Sequence, residues 1–419
     1  MCWLFSKSVK GGNYSVEQVD LSVMPAGTPE DLRYLYELST VDDGLDYLGH
    51  PDSVLFKNGK ILTVFPSGHG KGAIRSRISC DGGVSYTETI KNQPESWKNS
   101  RETPTVYRLE FNSPDTPDKL IMIAGNPKWG TEPTTGGFNY SISEDEGETW
   151  TEFDLVYSEK DGYNYITIVA MASLTRLKEN GKFVDKWMGF FHDRDFVNYK
   201  TILTFDENGK PHWSKPEPYF AAHRKIEKET NMCEVEVVRS DCGKGDELCL
   251  ISRSNKKSMN SLLSFSKDEG KTWSKPVYAP AALNGERHKA DYTPDGRLFI
   301  TFRSIERDAK KVKKYSEKPG RAWYSEGWIA WVGTYGDLKK GREGQYRIKI
   351  AHTYLPEQTE PQVCANSDVG YCGNVVYPDG TIVTSTYGCF GKRNADGAYK
   401  TYVVSKRIKL SDTDKLLKK

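Results

Sequence analysis

The chain has 419 residues, with 59 basic and 57 acidic side chains and a formal net charge of +2. So even a balance leaves no electrostatic footprint for nucleic acid or an anionic membrane surface, and no run of about 18 apolar residues reads as a membrane span. Hydrophobic residues make up 37%, charged residues 28% and aromatic residues 12%, the composition of a folded chain able to bury a large core as two or three domains or as one large all-β unit.

The opening stretch, "MCWLFSKSVKGGNYS", reaches Ser6 and Lys7 after a few apolar residues. That is too short for the apolar region of a signal peptide, so the expected location is cytoplasmic; removal of a leader before this Met would make it extracellular or periplasmic. None of the eight cysteines (Cys2, Cys80, Cys233, Cys242, Cys249, Cys364, Cys372, Cys389) falls in a CxxC pair. The expectation is reduced thiols with no zinc site and no cofactor, although a structural calcium would leave no compact motif.

In chain order, residues 1–45 include "PEDLRYLYEL" (Pro29 to Leu38), the one stretch with a short helical pattern. "SVLFKNGKILTVF" follows: an apolar run, an Asn-Gly turn and a second apolar run, which predict a β-hairpin. "YTPDGRLFITFR" and "VVYPDGTIVTSTY" repeat the pattern with Asp-Gly. Between the hairpins one motif recurs. "SCDGGVSY" (Ser79 to Tyr86), "SEDEGETW" (Ser143 to Trp150) and "SKDEGKTW" (Ser266 to Trp273) share Ser-x-Asp-x-Gly-x-Ser/Thr-aromatic. "TFDENGKPHW" (Thr204 to Trp213) is a degraded copy and "TYGDL" (Thr334 to Leu338) a fainter echo. The copies start at 79, 143, 204, 266 and 334, steps of 64, 61, 62 and 68. A near-constant period built from hairpins predicts four-stranded antiparallel blades arranged radially: an all-β propeller of six blades, or seven. The expected organisation is one domain over 1–419, with 1–45 closing the last blade and 410–419 a frayed tail. One acid per blade does not make an active site. Asp81, Asp145 and Asp268 read as turn residues that accept backbone N–H groups, beside a glycine that takes positive φ.

These repeats resemble the Asp boxes of the sialidase superfamily, and the resemblance covers essentially the whole chain. It implies a sialidase-like propeller with its site on the axis, acting on a glycan that carries a terminal acidic sugar, as a monomer, without nucleic acid or membrane partners. Sialidases use a Tyr nucleophile polarised by a Glu, an Asp acid/base, and arginines on the substrate carboxylate. Such arginines bind carboxylates bidentately, and a phenol needs a neighbouring carboxylate to take its proton as it attacks. "GYCGNVVYPDGTIV" places Tyr371 at the nucleophile position. "NMCEVEVVRSDCGKGDELCLISR" suggests Glu234 as its partner and Arg253 on the carboxylate. Glu236, two residues on along a strand, rivals Glu234, while Arg303 in "FITFRS" and Arg321 in "PGRAWYSEGW" compete for a second arginine role.

The first blade departs from the family's pattern. "YLGHPDSVLFKNGKILTVFPSGHGKG" has His50 near the expected Arg and His69 near the expected acid/base Asp. The departure resembles propeller lyases that cleave beside a uronic acid. In that reading His50 and His69 are base and acid, with Lys128 in "GNPKWG" or Arg253 neutralising the uronate. A non-catalytic glycan-binding propeller is the third alternative. "SWKNSRETPTVYRLEF" places Trp97, Arg101 and Glu102 in a loop that could line the pocket, Trp97 as a stacking platform for sugar. "FFHDRDF" places His192, Asp193 and Arg194 at a strand end, and Arg303 to Arg321 form a basic excursion.

Overall fold

A computed structural model describes residues 14–70, 72–126, 136–162, 166–256, 258–306, 324–352 and 368–418. Among these the strands form six sheets, each starting from one inner strand and proceeding outward. The inner strands are Asp52–Leu55, Pro104–Leu109, Leu174–Glu179, Met232–Arg239, Gly285–Tyr292 and Gly373–Val376, for blades 1 to 6. Apolar side chains fill the seams between neighbouring blades. Val54, Leu62 and Val64 of blade 1, for example, meet Val106, Leu120 and Met122 of blade 2. The three predicted hairpins form with Gly59, Gly296 and Gly380 at φ 84, 85 and 83. No helix among the described residues is long and apolar enough to cross a membrane.

The blades are not uniform. Blade 1 has three strands, its fourth reduced to one bridge between Ile78 and Glu88. The N-terminal segment joins two blades instead of one. Glu17–Asp20 adds in parallel to the outer strand of blade 5, and Ser39–Asp42 supplies the outer strand of blade 6. Between these strands lies a 3-10 helix over Glu30–Tyr36. The end of the chain is docked and not frayed. Leu410–Thr413 is a helical turn with Leu410 and Thr413 buried, Tyr34 donates to Asp412 at 2.6 Å, and Arg297 pairs with Asp414 at 2.8 Å.

The three full repeats adopt one turn, each after the third strand of its blade. In the second, Ser143 Oγ donates to Asp145 at 2.9 Å, the Gly147 N–H donates to Ser143 Oγ at 2.8 Å, and the Thr149 N–H donates to Asp145 at 2.9 Å. Asp81 and Asp268 are held in the same way. Gly147 has φ 86, and a Cβ there would lie 2.4 Å from Phe56 of the neighbouring blade, so the glycine is required twice over. The degraded copy keeps only part of the turn, with Asp206 accepting the N–H groups of Asn208 and Lys210. The echo at 334 is no such turn: Thr334 caps a short helix over Tyr335–Lys340, through a reciprocal box with Asp337. Where the repeat reads Asp-Glu-Gly, the Glu clamps blades together. Glu146 binds both Arg108 Nη atoms at 2.6 and 2.8 Å and accepts the Lys57 N–H from blade 1; Glu269 does the same with Arg239 and Lys178.

Candidate active site

Each blade begins at its inner strand, so the starts of those strands gather at one end of the axis. His50, Glu102, Val169, Glu234, Arg287 and Tyr371 all sit at or near such a start. Four are non-glycine residues in the left-handed region: His50 (φ 55), Val169 (φ 49), Glu234 (φ 47) and Arg287 (φ 54). At Glu234 and Arg287 the strand register slips by a bulge. A bulge breaks the two-residue alternation and re-aims a side chain, and strained dihedrals of this kind cluster at functional sites.

Tyr371 lies at the centre. Its hydroxyl donates to Glu234 Oε1 at 2.6 Å and accepts from Arg253 Nη1 at 3.0 Å, while the same Nη1 reaches Glu234 Oε1 at 2.7 Å. Burial would raise the Glu234 carboxyl, but the Arg253 charge and the hydrogen bonds from Arg253 and Tyr371 outweigh it and hold the group at about 2. Burial and the adjacent Glu234 carboxylate push the Tyr371 phenol well above its ordinary value. Arg303 donates to Glu286 at 2.9 Å through Nε, and Arg253 Nη2 lies 3.3 Å from the same carboxylate. The Arg303 and Arg287 guanidinium carbons stand 5.8 and 5.9 Å from the Tyr371 ring centroid. The bulge separates the two rival carboxylates. Glu236 accepts the Ala290 N–H at 3.1 Å, and burial raises it to about 7.

The two histidines come together with their rings 4.8 Å apart, and His50 meets the Tyr371 ring at 4.6 Å. Their environments differ. His50 is buried, which lowers it to about 3. Its Nδ1 accepts the Gly70 N–H at 3.1 Å, so the neutral ring carries its proton on Nε2, 3.2 Å from the Tyr387 hydroxyl. His69 is more open. Its Nδ1 lies 3.0 Å from Asp368 Oδ2, and the hydrogen bond to that carboxylate raises its pKa above the ordinary value. Asp368 also accepts from Tyr387 at 2.6 Å and from Tyr47. His50, His69 and Asp368 could reach one ion, their ligand atoms lying within 4.8 Å of one another. As they stand, the three are joined by hydrogen bonds, His69 to Asp368 directly and His50 through the Tyr387 hydroxyl.

A cavity of about 300 Å³ opens here, lined by His50, His69, Glu102, Val169 and Tyr371 among others. Trp97 is not in it: the ring is fully buried against Trp150, 5.4 Å between centroids, and packs the seam between blades 1 and 2. His192 is buried, its Nδ1 2.9 Å from the Asp193 carbonyl. Lys128 and Arg321 lie outside the described residues. The sequence reading missed Asp368, Tyr387, Tyr47, Glu286 and Arg287. Only Asp368 carried a signal, as an acid three residues before Tyr371 in "DVGY".

No protein-family model matches the chain, and no curated protein matches it. Solved structures do. A protein of unknown function from Dyadobacter fermentans aligns over 88% of this chain and 97% of its own, with a TM-score of 0.58 and 16% identity. The GH93 α-L-arabinofuranosidase of Fusarium graminearum, solved with arabinobiose, aligns over 90% and 98% at TM-score 0.54 and 12% identity. The intramolecular trans-sialidase of Ruminococcus gnavus, solved with oseltamivir carboxylate, aligns over 89% and 97% at TM-score 0.53 and 11% identity. Six blades in radial order, with matches of this extent at identities of 11–16%, give the chain the sialidase-like six-bladed propeller fold.

Proposed function

We propose that this protein is a carbohydrate-active enzyme that cleaves a terminal sugar from a glycan, as a retaining exo-glycosidase with Tyr371 as nucleophile. The observation that carries this is the Tyr371 hydroxyl, fixed between a carboxylate acceptor and a guanidinium donor on the wall of the axial cavity. In the first step the Tyr371 oxygen bonds to the anomeric carbon, its proton passes to Glu234, and the bond to the leaving sugar breaks. Arg253, within hydrogen-bond distance of the same oxygen, stabilises the negative charge that develops there. In the second step water takes the anomeric carbon, and Tyr371 recovers its proton from Glu234. His69, exposed and raised by Asp368, donates a proton to the leaving oxygen in the first step and takes one from the attacking water in the second. An acidic sugar suits the arginines, with its carboxylate sharing the donors of Arg253 and Arg303 that Glu234 and Glu286 already engage.

A second reading is favoured by the His69–Asp368 pair. Neutral His69 would take the proton beside a uronate carboxyl in β-elimination, with Tyr371 protonating the leaving oxygen. His50 does not serve as that base, since Gly70 occupies its Nδ1 and burial holds it at about 3. The test is incubation with sialyl-lactose, aryl glycosides of acidic and neutral sugars, and rhamnose-capped or ulvan-type uronate oligosaccharides. Free sugar without ultraviolet absorbance, abolished in Tyr371→Phe, supports the glycosidase. Absorbance from an unsaturated uronate, abolished in His69→Gln, supports the lyase. Binding without turnover leaves a glycan-binding propeller.

A further inference from the structure

The cavity has a second wall that the mechanism above does not use. Glu102 lies just before the inner strand of blade 2 and is 6% exposed. Its stem packs on Gly125, where a Cβ would fall 2.8 Å from Glu102 Cβ and Cγ. Its carboxyl accepts the Thr103 N–H at 3.0 Å, and the Val169 N–H points to its other oxygen at 3.4 Å. Val169 is a β-branched residue held at φ 49, a conformation such residues avoid. The backbone at 103 and 169 thus turns its N–H groups to one carboxyl, a Cβ at Gly70 would lie 3.6 Å from it, and that carboxyl shares the cavity with Tyr371 and His69.

We propose that Glu102 is the catalytic acid that protonates the departing sugar, leaving His69 to act only on water; the proposal rests on the glycosidase reading. The proton balance closes. In the first step the Glu102 O–H proton goes to the glycosidic oxygen as its bond to the anomeric carbon breaks and the Tyr371 bond forms. In the second step neutral His69 takes a proton from the attacking water. That proton returns to solvent, and Glu102 is reprotonated from solvent. Burial, with a minor contribution from the Glu234 charge, raises Glu102 to about 7, while Glu234 sits at about 2. Two carboxyls in one site with their ionisations driven apart are the arrangement that assigns one as the acid and the other as the charged partner.

The experiment compares wild type with Glu102→Gln on two glycosides of the same sugar, one with a nitrophenol leaving group and one with an alkyl leaving group. The alkyl substrate needs the proton and should lose about 100-fold or more; the nitrophenyl substrate should lose less than about 10-fold. The alkaline limb of the wild-type pH profile, near 7, should disappear in the variant. Equal losses on both substrates, with the alkaline limb retained, overturn the proposal and leave the glycosidase intact. A wild type that cleaves no glycoside overturns the glycosidase and the role of Glu102 with it. A substrate-free arm covers a variant that folds poorly: in Glu236→Gln, which removes the other buried carboxyl raised to about 7, the infrared band of a protonated carboxyl should remain near neutral pH and be lost on raising the pH. Its absence there overturns the proposal by itself.

Discussion

Replacing Glu234 by Gln tests the charge coupling under Tyr371. The amide keeps the shape and an acceptor for the Tyr371 and Arg253 donors, and removes the negative charge. The folded carboxyl titrates at about 2 against an ordinary 4.5, which corresponds to about 3 kcal/mol of stability at neutral pH, at roughly 1.4 kcal/mol per pH unit. The folded value lies below the unfolded one, so this stabilisation is complete above the ordinary value and is lost as pH falls towards the folded value. By roughly pH 3 more than half of it is gone. With an unfolding entropy of roughly 2 cal/mol/K per residue, Glu234→Gln should lower Tm by about 4 °C at neutral pH, and by less than half of that near pH 3. Differential scanning calorimetry at the two pH values reads the gap. An equal Tm difference at both would mean that the Arg253–Glu234 ion pair contributes nothing, and the electrostatic account of the site would fall.

Asp368→Asn should lower the pKa of His69, because the hydrogen bond to this carboxylate is what raises it; an NMR titration of the imidazole reads the shift, and the acid limb of turnover should move with it to lower pH. Gly147→Ala should destabilise the fold by about 2 kcal/mol or more, through the positive φ and the clash with Phe56 together, measured as a lower midpoint in urea with unchanged secondary structure. Lys406, buried and donating to the carbonyls of Leu21 and Ile350 at 2.8 Å each, is lowered by burial to about 7 from 10.5. Its folded value lies below the unfolded one, so the unfolded chain binds the extra proton between the two, and wild-type stability should rise with pH across that window. Lys406→Met should lack the rise in the same pH series of urea titrations.

The fold was legible because its signals are local. A turn that needs Gly at positive φ, with an acid two residues after a serine, looks the same in every blade that keeps it, and Asn58-Gly59, Asp295-Gly296 and Asp379-Gly380 each fix a hairpin. The faint echo at Thr334 failed for the same reason: Thr, Gly and Asp at close spacing also make a helix cap, and Asp337 made one. Tyr371, Glu234 and Arg253 were found through the resemblance, and the structure brings them within hydrogen-bond distance. A regular strand would put Glu234 and Glu236 on one face; the bulge that turns one towards Tyr371 and the other towards Ala290 has no sequence mark. Asp368, Tyr47 and Tyr387 meet across the closure of the ring, Tyr47 lying 321 residues from Asp368 in the chain, and no spacing rule reaches that far. Trp97 shows the converse error: an aromatic in a loop reads alike whether it faces a ligand or fills a seam, and here it fills one.

The left-handed residues around the axis bear on how such a protein would change over time. His50, Val169, Glu234 and Arg287 each hold a backbone conformation that a glycine would adopt without cost, and together they oppose folding by several kcal/mol, at about 1 kcal/mol or more apiece. The blades, seams and turns make up that deficit elsewhere. A lineage released from the proposed catalysis and selected only for persistence would gain most by relaxing these four positions first. It would keep the propeller and the cavity and lose the geometry around Tyr371, so a more heat-stable, inactive descendant should carry its changes at the inner-strand starts and not on the rim.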